Sequence, residues 1–94
     1  MAKLRAGVIG LGMGRAHING YRENPDVEVV AIADLDGEKL AQVGSEVGIA
    51  SRYTNAEEMI LRENLDIVSV AVPNVHHKPL CIFALDHGCH VLCE

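Results

Sequence analysis

Gly10, Gly12 and Gly14 stand at alternate positions and remove Cβ where a ligand could lie directly against main-chain N–H groups. A helix beginning near Met13 turns its free N–H groups and positive dipole end on that spot, which suits phosphate or another anion. Asp34 adds a carboxylate able to accept hydrogen bonds from both hydroxyls of an adenosine ribose, at about the spacing of 20 residues that dinucleotide sites use. Pro73-Asn74 joins a turn-setting ring to an amide that both gives and accepts hydrogen bonds. The ligand these residue types suggest is a nucleotide.

The strict dinucleotide fingerprint Gly-x-Gly-x-x-Gly/Ala, counted from Gly10, puts its third position on Arg15 and fails there. Spacing of the form Gly-x-Gly-x-Gly is also how S-adenosylmethionine-dependent methyltransferases set their glycines, so the loop alone leaves both ligands open. Methyltransferases usually carry an acidic residue at the end of the first strand. Val8-Ile9 occupies that place here, which favours the dinucleotide.

The surrounding pattern supplies elements to hold these residues. A strand at about Leu4 to Ile9 runs into a helix from Gly14 to Glu23, which Asn24-Pro25-Asp26 ends. The β-branched run Val27 to Ala33 predicts a strand buried on both faces, and Asp34 closes it. Asp36 predicts the cap of a helix through Val47, with Leu40, Val43 and Val47 on one face and Gly48 as its stop. A strand at Ile49 to Tyr53 leads to a helix capped by Thr54 or Asn55 that turns Ala56, Met59 and Ile60 to the core. Ile67 to Val72 predicts another buried strand, broken at Pro73-Asn74. A helix over 76–87 with Leu80, Cys81, Phe83 and Ala84 inward, then a last strand 90–94, complete the pattern. Five strands alternating with four helices over short turns predict an α/β doubly wound parallel sheet, a Rossmann fold, as one domain over 1–94. Ligands of such sheets lie at the carboxyl ends of the strands, here Gly10 to Gly14, Asp34, Pro73-Asn74 and Glu94.

Composition narrows the partners. A net charge of −5 with eight scattered Lys and Arg residues offers no basic stripe for nucleic acid. No apolar run reaches the ~20 residues of a membrane span, and a cytoplasmic location is expected. Cys81, Cys89 and Cys93 are odd in number and lie in apolar segments, which predicts reduced, packed thiols. A metal would need Cys89, His90 and Cys93 to converge, yet a strand there puts His90 on the opposite face from the two cysteines.

Taken together, the motifs at 7–17 (Gly-Val-Ile-Gly-Leu-Gly-Met-Gly-Arg-Ala-His), 30–34 (Val-Ala-Ile-Ala-Asp), 73–77 (Pro-Asn-Val-His-His) and 88–94 (Gly-Cys-His-Val-Leu-Cys-Glu) mark a family. The chain resembles the amino-terminal domain of the Gfo/Idh/MocA oxidoreductases, which use NAD(P). That resemblance implies that Gly10, Gly12, Met13 and Gly14 line the pyrophosphate and nicotinamide-ribose side of NAD. It places Asp34 on the adenosine ribose, Val72, Pro73 and Asn74 beside the dinucleotide, and Glu94 near the nicotinamide ribose. His77, the histidine of the Pro-Asn-x-x-His pattern, either approaches the cofactor or caps its helix. His17 is expected to be a packed, hydrogen-bonded residue, and His87 and His90 structural or surface ones. The loop is one residue shorter than in many relatives when aligned on His17, and Gly14 stands for the third glycine.

Relatives continue the last segment into Glu-Lys-Pro, whose lysine is assigned to catalysis, and then into a substrate domain. Hydride transfer to or from a sugar or polyol is the activity implied. This chain by itself is expected to bind dinucleotide without turnover, no catalytic residue being assignable before Glu94 beyond His77 as a spare acid or base. NAD is expected over NADP, since Asp34 is followed by Leu35 and not by arginine. A homo-oligomer is expected, and a non-catalytic NAD(H) sensor is the other function the resemblance leaves open.

Overall fold

A computed structural model describes residues 3–72 and 74–93, with the backbone alone described at Asn74. Strands β1 (Leu4–Ile9), β2 (Val27–Ala33), β3 (Arg52–Tyr53), β4 (Ile67–Val70) and β5 (His90–Cys93) pair in parallel in the order β3-β2-β1-β4-β5. Helices α1 (Gly14–Arg22), α2 (Gly37–Val47), α3 (Ala56–Glu63) and α4 (Asn74–Asp86) connect them. This is the doubly wound Rossmann arrangement. The strand order reverses at β1, which runs on through α1 to β2 on one side and has β4 on the other, so the ligand crevice of such a sheet opens between the carboxyl ends of β1 and β4. Among the described residues no helix is long and apolar enough to cross a membrane.

The sheet divides two cores. Ala6, Val8 and Ile32 face Ile18 of α1 and Leu40 and Val43 of α2, while Ile9, Val68 and Val70 face Met59 and Ile60 of α3 and Ala84 of α4. Strand β2 departs from the sequence reading. Its pairing with β1 slips between Ala6↔Val29 and Gly7↔Ala31, leaving Val30 as an extra residue. The bulge moves the alternation by one: Val27 and Val29 face the first core, but Ala31 and Ala33 face the second. Glu28 is exposed, so the start of β2 is covered on one face only.

Local chemistry sets the helix limits. Asp36 accepts from the N–H groups of Glu38 and Lys39, and Gly48 ends α2 in the left-handed region at φ 72°. Asn55 caps α3 through the Glu58 N–H, which decides between Thr54 and Asn55. The predicted strand at 49–53 shrinks to two residues because Ile49 turns into the first core instead of pairing. Helix α4 begins at Asn74, two residues earlier than expected, and carries Pro79 inside it, where one intrahelical hydrogen bond is lost.

Candidate functional site

At the carboxyl ends of the strands lies an open cleft of about 940 Å³. Its floor is apolar, built from Ile9, Ala33 and Ala71. Gly10, Gly12 and Met13 form one wall, Asp34, Leu35 and Lys39 a second, and residues 54–57 a third. Val72, after β4, and His76, Pro79 and Leu80 of α4 close it.

The three loop glycines meet three different demands. Gly10 turns the chain at φ +89°, and a Cβ there would lie 2.6 Å from the carbonyl oxygen of Ala71. Gly14 lets α1 settle on β1, since its Cβ would stand 2.8 Å from Val8 Cγ1. That is the helix-against-strand packing that the third glycine of the fingerprint provides, met here one residue early. Gly12 differs: the nearest atom to its missing Cβ is Lys39 Nζ at 3.8 Å, so the space in front of it belongs to no protein atom.

Hydrogen-bond donors without backbone acceptors lie beside that space. Met13 begins α1 without a side-chain cap and no acidic residue lies in the first turn, in contrast to α2 and α3 with Asp36 and Asn55. The N–H groups of Gly12 and Met13 have no backbone acceptor among the described residues. An anion completes such a helix start. Asp34 is half-buried and braced: Oδ2 accepts the Leu11 N–H at 2.8 Å and Oδ1 the Asp36 N–H at 2.8 Å. The same carboxylate thus ties the glycine loop to the end of β2 and keeps lone pairs free for ribose hydroxyls. A pyrophosphate needs the first set and a ribose the second, so the residues present fit a dinucleotide.

The opposite wall is held by Tyr53, whose hydroxyl donates to Glu63 Oε2 at 2.5 Å and ties β3 to α3. That bond to a carboxylate, with burial second, holds the phenol above its ordinary range.

Of the residues that the sequence singles out for the cofactor, Gly10, Gly12, Met13, Asp34 and Val72 line the cleft. Gly14 lies beneath it, packed on Val8. The readings on Pro73, Glu94 and the Asn74 amide fall outside the described residues. His76 lines the cleft, whereas His77 directs Nδ1 to Cys93 Sγ at 3.4 Å. His17 is half-buried on α1, and His87 stacks on Phe83 with 4.2 Å between centroids. Sequence reasoning missed Lys39, a cation lining the cleft, although it sits in the first turn of the helix that follows Asp34. Packed thiols hold for Cys89, which is buried, and fail for Cys93, exposed on an edge strand.

Strand order, glycine loop and the braced carboxylate at the end of β2 define a dinucleotide-binding Rossmann domain. Over residues 4–94 the chain matches the family described as "Oxidoreductase family, NAD-binding Rossmann fold", the Gfo/Idh/MocA group, and it belongs to that family. It is 34% identical to the D-glucoside 3-dehydrogenase of Escherichia coli over 97% of its own length and 26% of that protein's. Among solved structures it superposes on myo-inositol 2-dehydrogenase from Lactobacillus plantarum with a TM-score of 0.89 and 34% identity, covering 97% of this chain and 27% of that one. An oxidoreductase from Agrobacterium radiobacter, solved with NAD+, L-tartaric acid and magnesium, gives 0.90 and 26%, covering 98% and 27%. The chain therefore spans about a quarter of the length of the relatives it matches.

Proposed function

We propose that this chain holds NAD in the cleft between β1 and β4 and serves as the cofactor-binding part of a cytoplasmic oxidoreductase acting on a sugar, polyol or similar hydroxy compound. The observation that carries the reading is the uncapped start of α1, where Gly12 and Met13 present N–H groups without backbone acceptors among the described residues, beside the braced carboxylate of Asp34. Gly10, Gly12 and Met13 take the pyrophosphate, with Gly14 seating the helix behind them. Asp34 takes the adenosine ribose, and Lys39 sets a point charge toward the phosphates. Val72, Pro73 and Asn74 pass beside the dinucleotide, with Glu94 near the nicotinamide ribose. Of the two adjacent histidines, His76 is the one placed to meet the ligand. Bound NAD supplies the hydride acceptor or donor. The protein binds and orients it, and the apolar floor keeps water from the strand ends. Substrate contacts belong to regions that the longer relatives have and residues 1–94 do not cover. A relative's sugar or inositol supports the class of substrate without choosing one.

Calorimetric titration tests the assignment. NAD is expected to bind at least about tenfold more tightly than NADP, because a 2′-phosphate would face Asp34 with one lysine and no arginine fork among the described residues that line the cleft. Asp34→Ala should narrow the gap while weakening NAD. Equal or tighter binding of NADP by the unaltered protein rejects the cofactor assignment.

A homo-oligomer is part of the same proposal for the whole protein. For this chain a second source of association is β5, an edge strand with Leu92 half exposed. Its sedimentation coefficient is expected to rise with concentration, and a constant monomer value over a hundredfold range, ~100 μM at the top, counts against association through this edge.

A further inference from the structure

Outside the cleft, two thiols and an imidazole meet at the surface. His77 and Cys81 lie four residues apart on one face of α4, turned toward the last residue of β5. Cys81 Sγ stands 3.0 Å from Cys93 Sγ, and His77 Nδ1 lies 3.4 Å from the same Cys93 sulfur. Both cysteines are free thiols, Cys93 exposed and Cys81 half-buried. The third cysteine is set apart: Cys89 is buried and directs its S–H to the Leu65 carbonyl at 3.5 Å. Among the described residues no group of three His, Cys, Asp or Glu side chains is arranged to hold a metal ion, which leaves thiol chemistry.

We propose that Cys81 and Cys93 form a redox-active dithiol, which a hydroperoxide oxidises to an intrachain disulfide with His77 receiving the Cys93 proton. With its own proton on Nε2, His77 accepts the Cys93 S–H at Nδ1 and releases the thiolate. The thiolate attacks one peroxide oxygen. The O–O bond breaks, Cys93 becomes a sulfenic acid, and the leaving oxygen takes a proton to depart as water or alcohol. Cys81 sulfur then attacks Cys93 sulfur. The S–S bond forms, the S–O bond breaks, and hydroxide leaves as water with the Cys81 proton. Two thiols are oxidised and one peroxide is reduced. The order of attack follows from the surroundings. Burial, and then the hydrogen bond to Cys93, push the Cys81 thiol up to about 11, so Cys81 keeps its proton while the exposed Cys93 reacts first. The bond fastens α4 to the carboxyl end of β5, and an adjoining face of α4 carries the His76, Pro79 and Leu80 that wall the cleft.

The test uses the chain with one equivalent of hydrogen peroxide, quenched at intervals by iodoacetamide and mapped by mass spectrometry. Expected is a species lighter by two hydrogens whose peptides join Cys81 to Cys93, with Cys89 alkylated only after unfolding. Cys81→Ser should leave Cys93 as a sulfenic acid that dimedone traps, and His77→Gln should slow the first step about tenfold. Oxidation of Cys93 no faster than that of an exposed cysteine peptide overturns the proposal. So does a product dominated by intermolecular disulfide or sulfonic acid. The unaltered chain decides between these outcomes even where a variant fails to fold.

Discussion

Gly10→Ala should cost this protein a large part of its stability. The residue sits at φ +89°, where a side chain costs ~1–2 kcal/mol before any contact is counted. Its Cβ would then lie 2.6 Å from the Ala71 carbonyl oxygen and 2.8 Å from the carbonyl carbon. Neither atom can yield as a flexible side chain would, because the Ala71 N–H is bonded to the Ile9 carbonyl at 2.9 Å, at the end of the central β1–β4 pair. The expected loss is about 4 kcal/mol, against a total of about 5–15 kcal/mol for a domain of this size. Thermal unfolding followed by circular dichroism should show a melting temperature lower by about 15 °C or more. A fall under about 5 °C would mean that the β1 turn relaxes without strain. Gly20→Ala is the control: it lies in α1 with nothing within 4 Å of its Cβ, and a better helix former there should raise stability by up to ~1 kcal/mol.

That contrast between glycines marks where the sequence stops being legible. The cap at Asp36, the stop at Gly48 and the apolar rows of α2 and α3 rest on neighbours within a few residues, and the structure places them as the periodicity predicts. The bulge at Val30 is a different matter. Nothing in Val27 to Ala33 marks which residue is extra, because the slip is imposed by pairing with β1, a strand about 20 residues away in the chain. The short β3 has the same origin. Ile49 reads as a strand residue by type, but the first core takes it.

The site divides along the same line. Gly10, Gly12 and Asp34 were legible because a turn, a close approach and a strand end each favour one kind of residue. Which of His76 and His77 meets the cleft depends on the rotation of α4 about its axis, and that is set by contacts with β4, β5 and α3. Lys39 reads as one more exposed helix cation until Gly12 is seen beside it. The Cys81–Cys93 pair joins a helix to a strand across 12 residues, a distance that only the βα return closes.

Gly12→Val separates the fold from the site. Unlike Gly10, this residue has no positive φ, and no atom lies closer than 3.8 Å to its missing Cβ, so the variant should fold with a melting temperature within about 3 °C of the unaltered protein. The added methyls would occupy the space that the N–H groups of Gly12 and Met13 need for a pyrophosphate oxygen. A ligand kept from those donors loses two charge-assisted hydrogen bonds and leaves the start of α1 unsatisfied. Two such bonds at about 1.5 kcal/mol each amount to a weakening of about 100-fold. Titration of NADH fluorescence, run beside a melting curve of the same sample, reads both quantities. Intact folding with NADH affinity within threefold of the unaltered protein would place the dinucleotide elsewhere in the cleft. Loss of both would show that Gly12, like Gly10, is held by the fold and not kept open for a ligand.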